Sequence, residues 1–447
     1  MSMRFAPSPT GQIHLGGLRT ALFNYLYAKK MGLDLILRIE DTDQKRLIKG
    51  SKEGIIKSLK TFGINYTTMH VQSDRLDIYK EATNQLLEEG KAYRCFCTSE
   101  RLDKMRKRQI NVRSKVGYDN YCRKYSKQDS DAMQRDLPFT VRFKVEPQRI
   151  YLDDLVYKSI PFDMAMENDF IVLKQDKYPT YHLANVVDDL LMNVKYVMRG
   201  EEWIPSSGKH LLLHSYFSKV YQKEIPQFAH LPLLTNKNGK KLSKRDLFGH
   251  TLDDLLTKYK PLSILNFIAD LGWEKQSQYL TLHEMAGKFE IKDLNRARAK
   301  VSILKLNHYE AINFKKSIIT DKSVYIDKLR TVYNLGPNYS DKLSKIYDAS
   351  VHRAENFKSI LKDAETFFTF KPYQSITATD LKVIAQIQQH WKTSFDSNFP
   401  KSFPKNIKLL LRLYLSGAKY GVPLLQMMTI LGQEECEKRL SFYAKSI

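Results

Sequence analysis

The sequence predicts an α/β fold: an open parallel-sheet core, interrupted by a long insertion and followed by an all-α region. Three observations carry this expectation. "MRFA", the segment Leu15 to Lys30 and "LDLILRIE" read in order as strand, helix and strand, all within the first 40 residues. The same alternation returns from about Asp169 to Leu234, after a charged and broken stretch. From Pro261 onward no convincing strand pattern appears, and the chain reads as helical to its end.

In order, "MRFA" is a short strand, and Leu18, Leu22 and Leu26 lie at helical spacing in the segment that follows. "LDLILRIE" then alternates as a buried strand. A strand-helix-strand unit implies a parallel pair with a right-handed crossover, and open parallel sheets bind ligands at the carboxyl ends of their strands. Those ends are Ala6 to Gly11 and Glu40 to Asp43. From about Thr67 to Val156 charged helices and loops, including "RLDKMRKRQINVRSK", mark an insertion. Strands and helices resume with "DFIVLK", "TYHLANVVDDLLM", "VKYVMRGEEW" and "GKHLLLHSYF", and end on "HLPLLTNKNGKKLSKRD". The helical remainder divides into two subdomains, with a join near Lys371 and Pro372.

The 447 residues imply two to four domains at roughly 150 residues each, and 43% hydrophobic content suffices for ordinary cores. No run approaches the ~20 apolar residues of a membrane span, so no membrane partner is expected. A net charge of +23, with 26 Tyr and 22 Phe as stacking surfaces, suits a polyanionic nucleic acid. Four cysteines in a chain of this length do not make a disulfide framework.

His14, Gly16 and Gly17 sit where the first strand hands over to the first helix, so free backbone N–H groups and the helix dipole face any bound anion. Far downstream, "GKKLSKRD" (Gly239 to Asp246) is a flexible basic loop whose Lys241 and Lys244 are suited to reach phosphates as mobile point charges. A proline-rich entry, HxGG at a strand-helix turn and a distant KLSKR together resemble the two signatures of class I aminoacyl-tRNA synthetases. "RFAPSPTG", "RIEDTD" and "YPTYHLANVVDD" narrow the resemblance to the glutamyl-tRNA synthetase family, strongly to about Asp246 and more weakly beyond.

That resemblance implies a Rossmann-type catalytic core with an inserted acceptor-binding domain, followed by all-α stem-contact and anticodon-binding domains. The expected division is 1–66 and 169–250 for the two halves of the core, 67–168 for the insertion, 251–310 for the stem-contact domain and 311–447 for the anticodon-binding domain. It implies ATP-dependent activation of L-glutamate to an adenylate and transfer to tRNA(Glu), with Mg2+ accompanying ATP, tRNA(Gln) as a further candidate, and a monomeric chain. By the same resemblance Arg4, Ala6, Ser8, Glu40, Tyr181, Asn185 and Arg199 line the glutamate pocket. Glutamate carries two carboxylates and one ammonium, so Arg4 is expected on the side-chain carboxylate, Arg199 on the α-carboxylate and Glu40 on the ammonium. His14, Gly16, Gly17, Glu202 and the loop residues Lys241, Leu242, Ser243, Lys244 and Arg245 fall to ATP, with His14, Lys241 and Lys244 carrying the catalytic charge. Asp41 and Asp43 are read as loop caps before a helix near Ser51 rather than as metal ligands.

Cys95, Cys97 and Cys122 resemble the zinc-binding spacing in the insertion of some bacterial members, but Lys124 stands where their histidine is expected. Three thiolates are one short of the usual four, so zinc is not expected. A glutaminyl-tRNA synthetase would carry a β-barrel anticodon domain, which the helical C-terminal third argues against. The short paralogue that glutamylates a modified tRNA base lacks such a domain altogether. A non-catalytic tRNA-binding relative is disfavoured by the presence of His14, Lys241 and Lys244. With Arg4 already in the motif there is no room for a presequence in this chain. Basicity and the altered cysteine motif point to the mitochondrial matrix, with a bacterial cytoplasm as the alternative.

Overall fold

The computed structural model describes residues 1–236, 238–240, 251–273, 278–374, 377–393 and 404–444. It divides into two units, Met1–Tyr309 and Glu310–Ile447.

The first unit is built on a seven-stranded sheet. Its first strand, β1 (Ser2–Phe5), is buried at every position, because helices cover both faces of a parallel sheet. Helix α1 (Leu15–Met31) follows, capped by His14 at its start and by Gly32 in the left-handed conformation at its end. β2 (Asp34–Ile39) pairs parallel to β1, then come α2 (Ser51–Thr61) and β3 (Thr68–Val71), parallel to β2.

The chain then leaves the sheet through α3 (Leu76–Glu88), β4 (Ala92–Cys95), α4 (Ser99–Asn111), α5 (Lys127–Met133) and β5 (Thr140–Phe143). It continues through β6 (Arg149–Asp154), β7 (Lys158–Asp163), β8 (Phe170–Leu173), α6 (Tyr181–Leu191), β9 (Val194–Gly200), α7 (Ile204–Tyr221), β10 (Gln227–Leu231) and β11 (Leu234–Thr235). The large sheet has the order β3-β2-β1-β9-β10-β6-β7, parallel except for β7. Strand order reverses between β1 and β9, which opens a crevice at their carboxyl ends.

Strand pairing cuts across the expected edges of the insertion. β3, β6 and β7 lie within 67–168 yet belong to the large sheet, whereas β8, placed in the second half of the core, joins β4 and β5 in a three-stranded antiparallel sheet. One face of that small sheet packs on the core, while Tyr93 and Cys95 of β4 form a second, smaller cluster with Tyr118, Cys122 and Leu102 of α4. Val141, Phe143, Phe170 and Val172 share one apolar cluster with Tyr79 and Leu86 of α3, Leu183 and Val187 of α6, and Leu213 and Phe217 of α7.

The unit closes with α8 (Leu252–Leu256), α9 (Pro261–Asp270), α10 (Leu282–Lys288) and β12 (Ala299–Lys300), which leads into α11 (Ile303–Thr320). β12 pairs with β11, so the region after Pro261 is not wholly helical; two residues are too few to leave an alternation in the sequence. Arg19 of α1 donates to the carbonyls of Leu271 and Pro232, and burial lowers its pKa to about 10.

The second unit is helical: the end of α11, then α12 (Lys322–Val332), α13 (Ser340–Val351), α14 (Phe357–Phe368), α15 (Ala378–Thr393), α16 (Lys405–Ser416), α17 (Leu424–Leu431) and α18 (Gln433–Ala444). Residues on both sides of the expected join at Lys371 share one core, from Leu343, Ile346, Tyr347 and Ile360 to Ile384, Leu411, Tyr414, Leu440 and Tyr443. Arg439 fastens the two sides by donating to Thr366 O at 2.8 Å and Leu415 O at 2.7 Å. Two separate subdomains are therefore not formed. Among the described residues no helix is long and apolar enough to cross a membrane.

Candidate active site

A cleft of about 700 Å³ opens at the carboxyl ends of β1, β2 and β9. Arg4, Ala6, Ser8, His14, Gly16, Gly17, Glu40, Tyr181, Arg199 and Glu202 all line it, from stretches up to two hundred residues apart in sequence. Asn185 is the exception. It is buried behind the wall, and its side-chain oxygen accepts from Arg38 at 3.0 Å. Residues 241–250, and with them Lys241, Leu242, Ser243, Lys244 and Arg245, lie outside the described residues.

The loop between β1 and α1 is held from behind. Ser51 Oγ donates to Gly11 O at 2.6 Å and accepts from Gly11 N at 3.0 Å, while Pro7 O and Pro9 O accept from the backbone of Glu40 and Ile48. His14 is the helix cap, its Nδ1 accepting from Gly17 N at 2.9 Å. An accepting Nδ1 leaves the ring proton on Nε2, where it serves as a donor. Gly16 leaves room for this cap. A Cβ there would lie 3.2 Å from two atoms of the His14 ring.

Below the cleft runs a buried ion network. Arg38, 0% exposed, donates to Asp189 Oδ1 at 2.7 Å, to Glu40 Oε1 at 3.3 Å and to Asn185. Arg4 Nε reaches the same Asp189 oxygen at 3.0 Å. Burial alone would raise Asp189, but Arg38 and Arg4 hold it down at about 2. For Glu40 burial prevails over the pull of Arg38 and Arg4, and its carboxyl is pushed up to about 7. Neighbouring Asp188 is used separately, accepting from Gln72, Arg75 and Tyr79.

Arg199, next to the last residue of β9, is placed differently. It donates to His230, Tyr181, Ser207 and His210, all neutral acceptors, and among the described residues no carboxylate lies within ion-pairing distance. Burial keeps Tyr181 neutral, at about 12. A guanidinium and a phenol side by side, with the positive charge locally uncompensated, form a receptor for a carboxylate.

Asp41 and Asp43 do not cap the helix at Ser51. Gly50 occupies that cap without a side-chain bond, Asp41 Oδ1 instead accepts from Ser73 N at 2.8 Å, and Asp43 is solvent-exposed. In the small sheet, the sulfurs of Cys95, Cys97 and Cys122 lie within 4.8 Å of one another. Lys124 turns away, its ammonium 4.2 Å above the Tyr121 ring. The Tyr118 hydroxyl lies 3.3 Å from the Cys95 sulfur and 3.6 Å from that of Cys97, and Arg101 donates to Cys97 at 3.3 Å. Burial and then the Cys95 sulfur push the Tyr118 hydroxyl up, so it remains a neutral hydrogen-bonding group.

Sequence reading missed Arg38, Asp189, Asp154, Ser207, His210, His230 and the wall residue Trp203, whose ring lies 4.2 Å from that of Tyr181. The one available signal was a charged residue, Arg38, at an inward position of a strand whose neighbours are Ile36, Leu37 and Ile39.

A parallel sheet that reverses order over a cleft walled by a capped strand-helix turn is the arrangement of the class I aminoacyl-tRNA synthetases. Residues 1–308 match the model of "tRNA synthetases class I (E and Q), catalytic domain". The similarity extends through the second unit. The glutamate–tRNA ligase of Clostridioides difficile is 32% identical across 100% of this chain and 99% of its own, and the mitochondrial enzyme of Saccharomyces cerevisiae 35% across 98% and 89%. The crystal structure of a glutamate tRNA ligase from Elizabethkingia meningosepticum in complex with its amino acid superposes with a TM-score of 0.83, at 28% identity, over 100% of this chain and 99% of that one. The chain belongs to the glutamate–tRNA ligase family.

Proposed function

We propose that this enzyme activates L-glutamate with ATP and transfers it to tRNA(Glu), with the residues of the cleft in the following roles. The observation that carries the reading is Arg199, a buried cation beside Tyr181 whose hydrogen-bond partners are all neutral. It takes one substrate carboxylate. Arg4, which shares its charge with Asp189, is assigned the other, and Glu40 the ammonium. Asn185 acts through Arg38 rather than by contact.

No covalent enzyme intermediate is needed, because the substrate carboxylate attacks the α-phosphate itself. The protein positions the two groups and stabilises the charge that develops on the phosphate oxygens. His14 Nε2–H, the amino end of α1, Lys241 and Lys244 are assigned to that charge, with Gly16, Gly17 and Glu202 along the nucleotide. Mg2+, if it accompanies ATP, would add to the stabilisation of charge on the phosphate oxygens. Replacing Lys244 with alanine is expected to slow adenylate formation on the order of a hundredfold, in line with loss of other electrostatic donors. Full activity in ATP–pyrophosphate exchange with tRNA present would remove Lys244 from this role.

Glu40 gives the reaction a pH signature. An ammonium needs the ionised carboxylate, so kcat/KM for glutamate should rise as pH passes through about 7 and level off above it. A Glu40→Gln variant should lose that rise, and a wild-type profile flat from pH 6 to 8 would refute the assignment.

Charging assays with purified tRNA(Glu) and tRNA(Gln) test the reaction and show whether the second tRNA is also a substrate. We assign the acceptor end to the small sheet and its helices, the stem to 251–310 and the anticodon to 311–447, with the chain acting as a monomer in the mitochondrial matrix. The net charge of +23 supports that location. Three thiols and a neutral phenol fall short of a structural zinc set, so metal analysis of protein purified without chelator should find zinc well below one equivalent.

A further inference from the structure

We infer that Asp154 and His230 are positioning residues that hold Arg199 in the orientation needed to receive a substrate carboxylate. The inference rests on the assignment of Arg199 to a carboxylate of glutamate and extends it to residues that do not line the cleft.

The geometry runs in one direction. Arg199 Nε lies 3.1 Å from His230 Nε2, and a guanidinium can only donate, so that imidazole nitrogen must be the acceptor. The ring proton is then on Nδ1, which lies 2.7 Å from Asp154 Oδ2. Asp154 is in turn fixed as an acceptor. Its Oδ1 receives the backbone N–H groups of Val156 at 2.9 Å and Tyr157 at 2.8 Å, and its Oδ2 that of His230 at 3.1 Å. All three side chains are buried, at 3% for Asp154, 0% for His230 and 5% for Arg199. The carboxylate thus selects one imidazole tautomer, and that tautomer selects one rotation of the guanidinium about its Nε.

The remaining contacts leave Arg199 with more donors than partners. Tyr181 Oη accepts from Nη1 at 3.1 Å and Ser207 Oγ from Nη2 at 2.9 Å, while the single lone pair of His210 Nδ1 is shared between Nη1 at 3.1 Å and Nη2 at 3.2 Å. Five N–H groups therefore meet four acceptor side chains, the shortfall falling on the lone pair that Nη1 and Nη2 share, and Nη1 stands beside Tyr181 on the cleft wall. Asp154 is near enough to polarise His230 but is separated from Arg199 by the whole ring. The cation is oriented without being neutralised.

An asparagine at 154 cannot reproduce this. Every partner of Asp154 is a donor or, in the case of His230 Nδ1, must be one. An amide with one oxygen and one NH2 is forced either to face a backbone N–H with its own donor, or to receive the wrong tautomer of His230, whose Nε2–H would then oppose Arg199 Nε–H. At the other position, glutamine can still offer an oxygen to Arg199 Nε, whereas leucine cannot.

The test is a KM series in ATP–pyrophosphate exchange with tRNA present. Asp154→Asn is expected to raise the KM for glutamate about 10- to 100-fold, as loss of an orienting partner does at other sites, with the KM for ATP within about twofold of wild type. His230→Leu should do the same, and His230→Gln should recover most of the loss. If Asp154→Asn fails to fold, the His230 pair decides alone. Equal glutamate KM values for His230→Leu and wild type, or equal penalties for Leu and Gln, would overturn the inference. Arg199→Lys separates it from the reading beneath: no change in glutamate KM there sinks the carboxylate assignment itself, whereas a large rise in Arg199→Lys with none in His230→Leu sinks the positioning role only.

Discussion

Replacing Arg199 with alanine should lower kcat/KM for glutamate by about a hundred- to several-thousand-fold, the equivalent of roughly 3–5 kcal/mol for removing one partner of a desolvated charge pair. Two losses combine. The substrate carboxylate meets the Tyr181 hydroxyl without a cation, and the acceptors His230, Ser207 and His210 lose the donor around which they are arranged. Burial lowers the pKa of both His210 and His230, so neither ring replaces the missing charge at neutral pH. Lysine should restore little, since one ammonium cannot serve four acceptors laid out for a planar fork. Steady-state exchange kinetics check this, and an alanine variant within tenfold of wild type would place the carboxylate receptor elsewhere.

The second large effect is on stability. Arg38→Met should destabilise the first unit by about 3–5 kcal/mol, because it leaves Asp189 and Glu40 buried beside a thioether. Arg4 alone would then face both carboxylates, through an ion pair with Asp189 at 3.0 Å. Adding Asp189→Asn to Arg38→Met should return part of the loss, since a buried charge without a partner costs more than a buried neutral pair. Urea unfolding followed by tryptophan fluorescence measures both. A single variant as stable as wild type, or a double variant that merely sums two losses, would show that the network contributes no coupling.

What the sequence made legible follows the range of the signal. β1, α1 and β2 were readable because periodicity is local, and the cleft residues because they sit in short motifs such as "RFAPSPTG" and "RIEDTD". Arg38 lies inside one of those motifs yet was passed over, since a charge in a strand reads as a solvent-facing position unless its partner is known. That partner, Asp189, is 151 residues away at the end of a helix, where paired aspartates look like surface charge. His230 and Asp154 were hidden for the same reason, 76 residues apart on strands that become neighbours only in the folded sheet. The edges of the insertion were misplaced because chain order is not spatial order: β6 and β7 follow the small sheet's first two strands yet extend the large one.

The position of β1 in the middle of its sheet also sets an order of assembly. It precedes the other strands of that sheet in the chain, and one of its two neighbours, β2, follows within the next 40 residues. The other flank pairs Ser2 with Val194, about 190 residues further on, so it stays open until the far half of the sheet has joined. Before that, β1, β2 and β3 would form a ribbon with an unpaired apolar edge, a state prone to pair with a neighbouring chain. Until β9 docks, that edge has to be shielded from other chains, so the yield of refolding should fall as protein concentration rises.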